Sequence, residues 1–191
     1  MAVNQKLCEI VADTEEKRRA LLESVRDWSQ AQLDFRAQPD AWSAGEILHH
    51  LHLIEASITK LLAKQTIKAQ QQNIGSDTSD GSWLNSLDHM PIESRERKMK
   101  APPYVAPQQG GLMKEELLAL LRGSRAEFLA TIERASDYDL AQLTFPHPFL
   151  GDLNLYQWIL FVGKHEARHT TQIVEVKACT DFPMSNDVAL A

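Results

Sequence analysis

Residues 154–179 read NLYQWILFVGKHEARHTTQIVEVKAC. Leu155, Trp158, Val162, His165, His169, Gln172 and Val176 recur at three- and four-residue steps, so they share one face of a helix. Asn154 is a good N-cap, and Gln157 three residues on completes a capping box. The spacing predicts a helix from Asn154 to about Cys179 with two imidazoles on its inward stripe. His165 and His169 lie four residues apart, about 40° around the axis, so both can reach one ion.

Working outward, three more helices are expected. Ser43-Ala44-Gly45-Glu46 reads as a second capping box, with Trp42 placed to staple against Ile47. The helix that follows carries Ile47, His50, Ile54, Ser57 or Ile58, and Leu61 inward, with His50 in mid-stripe. Before it, Leu7, Ile10, Val11, Thr14, Leu21, Leu22, Val25 and Trp28 predict one helix over about 4–29. After it, Leu117, Leu121, Phe128 and Ile132 mark a helix over about 112–135. Arg125 falls near that stripe and reads as a snorkelling residue at the helix edge. The first two helices, joined by a short polar connection, should be antiparallel neighbours.

Two connections remain. Residues 69–111 hold Pro91, Pro102, Pro103, Pro107 and four glycines, too long for an ordinary loop. A short helix is expected near 82–87, and the segment is a candidate lid. Residues 136–153 contain Pro146 and Pro148, which forbid helix; almost no strand signal is visible. Four amphipathic helices of this length make an all-α chain, a helical bundle. One domain is expected over 1–180, with a tail at 181–191.

Composition narrows the function. The 191 residues are 43% hydrophobic and 24% charged, ordinary for a globular domain. A net charge of −6 gives no electrostatic footprint for nucleic acid and no basic face for an anionic membrane. No apolar run is long enough to span a bilayer. The N-terminus lacks a signal-peptide profile, so Cys8 and Cys179 are expected to be reduced thiols in a cytoplasmic protein.

His50, His165 and His169 together make a three-nitrogen metal site with an open position, the arrangement of catalytic rather than structural sites. A lone histidine on an apolar stripe is usually a satisfied core residue. Three imidazoles in one core are costly unless a metal or tight hydrogen bonds use their lone pairs. His165-Glu166-x-x-His169 also matches the zincin protease signature, with Glu166 as general base. The third zincin ligand is missing, however: no histidine follows His169, and the only later glutamate, Glu175, comes just six residues on; the metzincin extension fails because position 172 is glutamine instead of glycine. Glu166 is left with three readings: a solvated residue, a partner behind the ligands, or a base beside the metal. Arg168 points off the metal face and reads as solvated or salt-bridged, with anion binding open. His89 and His147 lie in loops and read as surface residues.

The residues Trp42-Ser43-x-x-Glu46-x-x-x-His50-Leu51, with Gly151-x-Leu153-Asn154-x-x-x-Trp158 and His165-x-x-x-His169-x-x-Gln172-Ile173, resemble the DinB-like (DinB/YfiT-like) superfamily. The resemblance spans nearly the whole chain. It implies an up-down-down-up four-helix bundle, often a homodimer. It implies a divalent metal, zinc or nickel ahead of manganese or iron, held by His50, His165 and His169. Some members are thiol S-transferases using bacillithiol or mycothiol, and a metal-dependent hydrolase has been described. The resemblance thus implies a small-molecule substrate and a low-molecular-weight thiol as cosubstrate, or hydrolysis through metal-bound water with Glu166 as base. A metal-stabilised binding protein without turnover is the third reading.

Overall fold

The structure, a computed structural model, describes residues 4–96, 100–109 and 111–184. Five helices are found among them: α1 (Gln5–Ser24), α2 (Gln30–Asp34), α3 (Ala44–Gln71), α4 (Lys114–Ala135) and α5 (Leu155–Lys177). One hairpin, β1 (Thr144–His147) and β2 (Gly151–Asn154), precedes α5. The expected tail at 181–191 falls outside the described residues from 185 onward.

Both predicted capping boxes are present. The Ser43 hydroxyl accepts from the Glu46 amide while Glu46 accepts from the Ser43 amide. Asn154 and Gln157 do the same for α5. These reciprocal bonds satisfy amides that a helix start otherwise leaves without partners.

Three expectations need correction. The first helix stops at Ser24 instead of Ser29, and Ser29 re-caps the five-residue α2 through its own box with Gln32. Serine offers the backbone a local bond that competes with helix continuation. The turn still buries Val25 and Trp28, which is why the periodicity ran through it. The short helix near 82–87 is a run of turns, and the connection is held by buried Leu87, Ile92 and Val105, with a 3₁₀ turn at Pro103–Val105. The 136–153 connection contains a hairpin that its prolines hid. Pro146 fits because a two-stranded ribbon has free edges. Gly151, at φ +77°, closes the three-residue loop in the left-handed region, which a Cβ disfavours.

Contacts set the helix directions. Asn4 meets Tyr156 and Arg18 meets Glu166, so α1 and α5 are parallel. Gly163 lets them close in: a Cβ there would stand 3.2 Å from the Thr14 Cα. Gly45 faces Leu117 and Glu55 faces Ser124, so α3 and α4 are parallel. Leu7 and Ile10 share a cluster with Ile58 and Leu62, while Leu21 and Val25 share another with Ile47 and Leu51. Helices α1 and α3 are therefore antiparallel, and the bundle is up-down-down-up.

The apolar core is split into those two clusters, and charge lies between them. Along α1, Arg18 comes between Ile10 and Leu21; along α3, Glu55 between Leu51 and Ile58. Along α4, Arg125 comes between Leu121 and Phe128; along α5, Glu166 between Val162 and Ile173. One buried charged residue from each long helix forms this layer.

Candidate metal centre

His50 sits in the second turn of α3, placed by the Ser43 cap. His165 sits at the middle of α5 and His169 one turn further on. The antiparallel crossing of α3 and α5 brings all three together, with one ligand nitrogen of each within 4.8 Å of the others. His50 Nε2 and His165 Nε2 are 3.1 Å apart. Ring centroids are 5.3 Å (His50–His165), 5.1 Å (His50–His169) and 4.6 Å (His165–His169).

The groups behind the rings decide their tautomers. His50 Nδ1 lies 2.7 Å from the Val105 carbonyl, which can only accept, so the proton sits on Nδ1 and Nε2 offers a lone pair. His169 Nδ1 lies 2.9 Å from Gln172 Oε1, with the same consequence. Metal-binding histidines are oriented in this way. Three nitrogens on a tetrahedral zinc are about 3.3 Å apart; the His50–His165 spacing of 3.1 Å already fits, and the His169 nitrogen, within 4.8 Å, would have to close in. The donor set suits a divalent first-row ion.

Electrostatics agree. Burial pushes His165 well below the ordinary imidazole range, with His169 and His50 adding to it. Burial, then His50, lowers His169 to about 3. Burial also lowers His50, against the pull of the Val105 carbonyl. Neutral imidazoles are the form that binds metals. His165 is the half-exposed member, so the site opens to solvent on its side. Trp42 does not stay with the staple role alone: its ring lies 4.9 Å from that of His50.

Glu166 is placed elsewhere. It is 1% exposed, which removes the solvated reading. Its Oε1 accepts from Arg18 Nε at 2.9 Å and from Arg125 at 2.7 Å. Arg18 also reaches Glu55 at 3.1 Å and the Leu121 carbonyl at 3.0 Å. Arg125 Nε lies 2.7 Å from Glu55 Oε1, an ion pair too bent to be a hydrogen bond, and Ser124 donates to Glu55 Oε2 at 2.6 Å. Burial raises the Glu166 pKa while Arg18 and Arg125 pull it down. For Arg125, burial opposes the charge, but Glu166 and Glu55 overcome it and raise the pKa. Arg125 is thus a buried ion-pair residue instead of a snorkelling one.

Other expectations divide. Arg168 is 8% exposed, so it is not solvated. His89 is exposed as expected. His147 is half-buried, with its ring 4.7 Å from Phe161 and 5.1 Å from Trp158, contrary to the surface reading. Cys8 and Cys179 are free thiols. Two contributors from the long connection were missed: the Val105 carbonyl, and Arg95, which donates to Gln172 Oε1 at 3.3 Å and pairs with Glu175. A backbone carbonyl leaves no trace in a sequence pattern. No helix among the described residues is long and apolar enough to cross a membrane.

A bundle of this topology with histidines at these positions defines a class, and the chain belongs to the DinB superfamily, whose sequence profile matches residues 13–173. That superfamily is known for metal binding. Among its relatives is the "Uncharacterized protein YuaE" of Bacillus subtilis (strain 168), 28% identical over 160 residues that cover 80% of this chain and 88% of that protein. Among solved structures, the "Crystal structure of TT2238, a four-helix bundle protein" matches with a TM-score of 0.59 at 26% identity, covering 87% of this chain and 97% of that one.

Proposed function

We propose that the chain holds one divalent ion, zinc or nickel, on His50, His165 and His169, and transfers a low-molecular-weight thiol to a small electrophile. The observation that carries this reading is the convergence of three neutral imidazoles, two with their protons held on the far side by Val105 and Gln172. A divalent ion bound there supplies a Lewis acid that lowers the pKa of a thiol at its open position. The chain does the rest. His50 and His169 present fixed lone pairs, and the half-exposed His165 edge admits the reactants. The Trp42 ring packs beside that of His50, tilted by 47° at 4.9 Å.

Thiol transfer is favoured over hydrolysis by the placement of Glu166. Hydrolysis asks for a carboxylate near the metal to move a proton. Both guanidinium groups of the buried layer engage Glu166 instead. In thiol transfer the S–H proton would pass to solvent as the sulfur bonds the electrophile, and no such carboxylate is needed.

The test starts with elemental mass spectrometry on protein purified without a nickel column and equilibrated with zinc. Wild type is expected to carry about one equivalent, and His50→Ala, folded by circular dichroism, none. A metal-free wild type overturns the site. Metal-loaded wild type should then conjugate members of a panel of cellular thiols to a model electrophile. Full metal content without turnover would leave a metal-binding protein and remove the transferase reading.

A further inference from the structure

The hairpin places a group that neither the metal nor the bundle accounts for. His147 ends β1 at the first pair of the hairpin, opposite Gly151. Its Nδ1 accepts the Phe149 amide at 3.2 Å, so the neutral ring carries its proton on Nε2. The ring packs against Trp158 and Phe161, and Phe161 stacks on His165 at 5.1 Å with 26° between planes. Trp158 donates to the Phe145 carbonyl at 3.1 Å and locks the hairpin to α5. Packing explains buried Trp158 and Phe161; it does not explain Phe145 and Phe149, 39% and 53% exposed on the same hairpin. These rings connect to His165 through Phe161, and His165 is the one of the three histidines that is not fully buried.

We infer that the hairpin is the substrate wall of the centre, and that its occupant is a small flat molecule with a conjugated carbonyl, an aromatic or α,β-unsaturated one. Aromatic faces at stacking distance favour a planar unsaturated body. The Nε2 proton of His147 offers one hydrogen bond to a carbonyl oxygen. Burial lowers the His147 pKa to about 4, so the ring stays a neutral donor at physiological pH and attracts no anion. A conjugated carbonyl is also an acceptor for thiols, so the inference deepens the proposed function and rests on it only for the reaction, not for the wall.

Two hydroxamates separate wall from metal. Both have the same metal-binding head, but benzohydroxamate adds a flat ring conjugated to its carbonyl and acetohydroxamate only a methyl group. Zinc-loaded wild type should prefer benzohydroxamate by about tenfold in calorimetry. His147→Ala and, independently, the exposed Phe149→Ala should each cut that preference to about threefold or less, with acetohydroxamate affinity and zinc content unchanged. No preference in wild type, or full preference in both variants, overturns the inference. Benzamide keeps the flat carbonyl without the chelating head. Its ring protons should show saturation transfer from wild type with or without zinc, and none from His147→Ala. Benzamide transfer in a protein that takes up no zinc would sink the metal reading and keep the wall. Absent transfer in both forms sinks the wall. Sedimentation of Phe149→Ala tests the other occupant: a halved mass would assign this face to a second copy of the chain and overturn the inference, and an unchanged mass is expected.

Discussion

His165 and Glu166 are neighbours on α5, yet they belong to opposite kinds of polar interior. Glu166 joins Glu55, Arg18 and Arg125 in a layer whose two negative and two positive charges balance inside the protein. His165 joins His50 and His169 in a group that carries no charge, with the His165 Nε2 proton donated to the lone pair of His50 Nε2 at 3.1 Å. The first is closed, built entirely from the four long helices. The second is open, with His165 half-exposed and the rings propped from the long connection. A buried polar group must find its partners somewhere. The layer finds most of them within the chain, with Glu166 Oε2 left without a hydrogen-bond partner; the histidines form the cluster that fits the proposed ion.

Breaking the layer should have the largest effect. Glu166→Leu leaves two buried guanidinium groups to share one buried carboxylate, Glu55, and should cost about 3–5 kcal/mol in urea unfolding. Replacing Arg18, Glu55, Arg125 and Glu166 together by methionine should recover most of that, since no charge is then left without a partner. His50→Ala, in the metal-free protein, should cost only about 1 kcal/mol. A His50 cost as large as that of Glu166 would erase the distinction between the two regions.

Next comes the support behind the open site. Gln172→Leu removes the acceptor of the His169 Nδ1 proton while leaving the layer intact. Zinc affinity, measured by competition with a chromogenic chelator, should fall about 10–100-fold with little change in unfolding free energy. Unchanged affinity would mean that His169 needs no help in facing the ion.

The smallest effect is a pH dependence. Burial lowers His147 from 6.5 to about 4, so between those values the unfolded chain binds a proton that the native protein refuses. Its contribution to stability is complete above pH 6.5 and is lost as pH falls toward 4. At pH 5 the loss should be about 1–2 kcal/mol. Metal-free wild type minus His147→Phe, compared by urea unfolding at pH 5 and pH 7.5, isolates this contribution. Equal slopes for the two proteins would return His147 to the surface role.

Much of this was legible before any coordinates. The capping boxes at Ser43 and Asn154 placed the starts of α3 and α5, because caps are local bonds between residues three apart. The inward stripes then put His50, His165 and His169 toward the core. The charged layer had a signal that went unused: Arg18 lies four residues past Thr14 and three before Leu21, on the apolar stripe of α1. A charge in mid-stripe on several helices at once is a pattern of compensation, though the pairing of those charges is not local. The break after Ser24 was hidden because Val25 and Trp28 stay buried through the turn.

Four amphipathic helices, their caps, three inward imidazoles and the superfamily could all be read along the chain. These rest on interactions spanning three or four residues, or on a motif read in order. It took the packed bundle to put Glu166 with two arginines instead of the histidines. That packing also decided that Val105 and Arg95 reach across from the connection, and that His147 packs beside the centre. Each of these depends on the angle and register at which elements far apart in the chain cross, and that is set by packing all four helices at once.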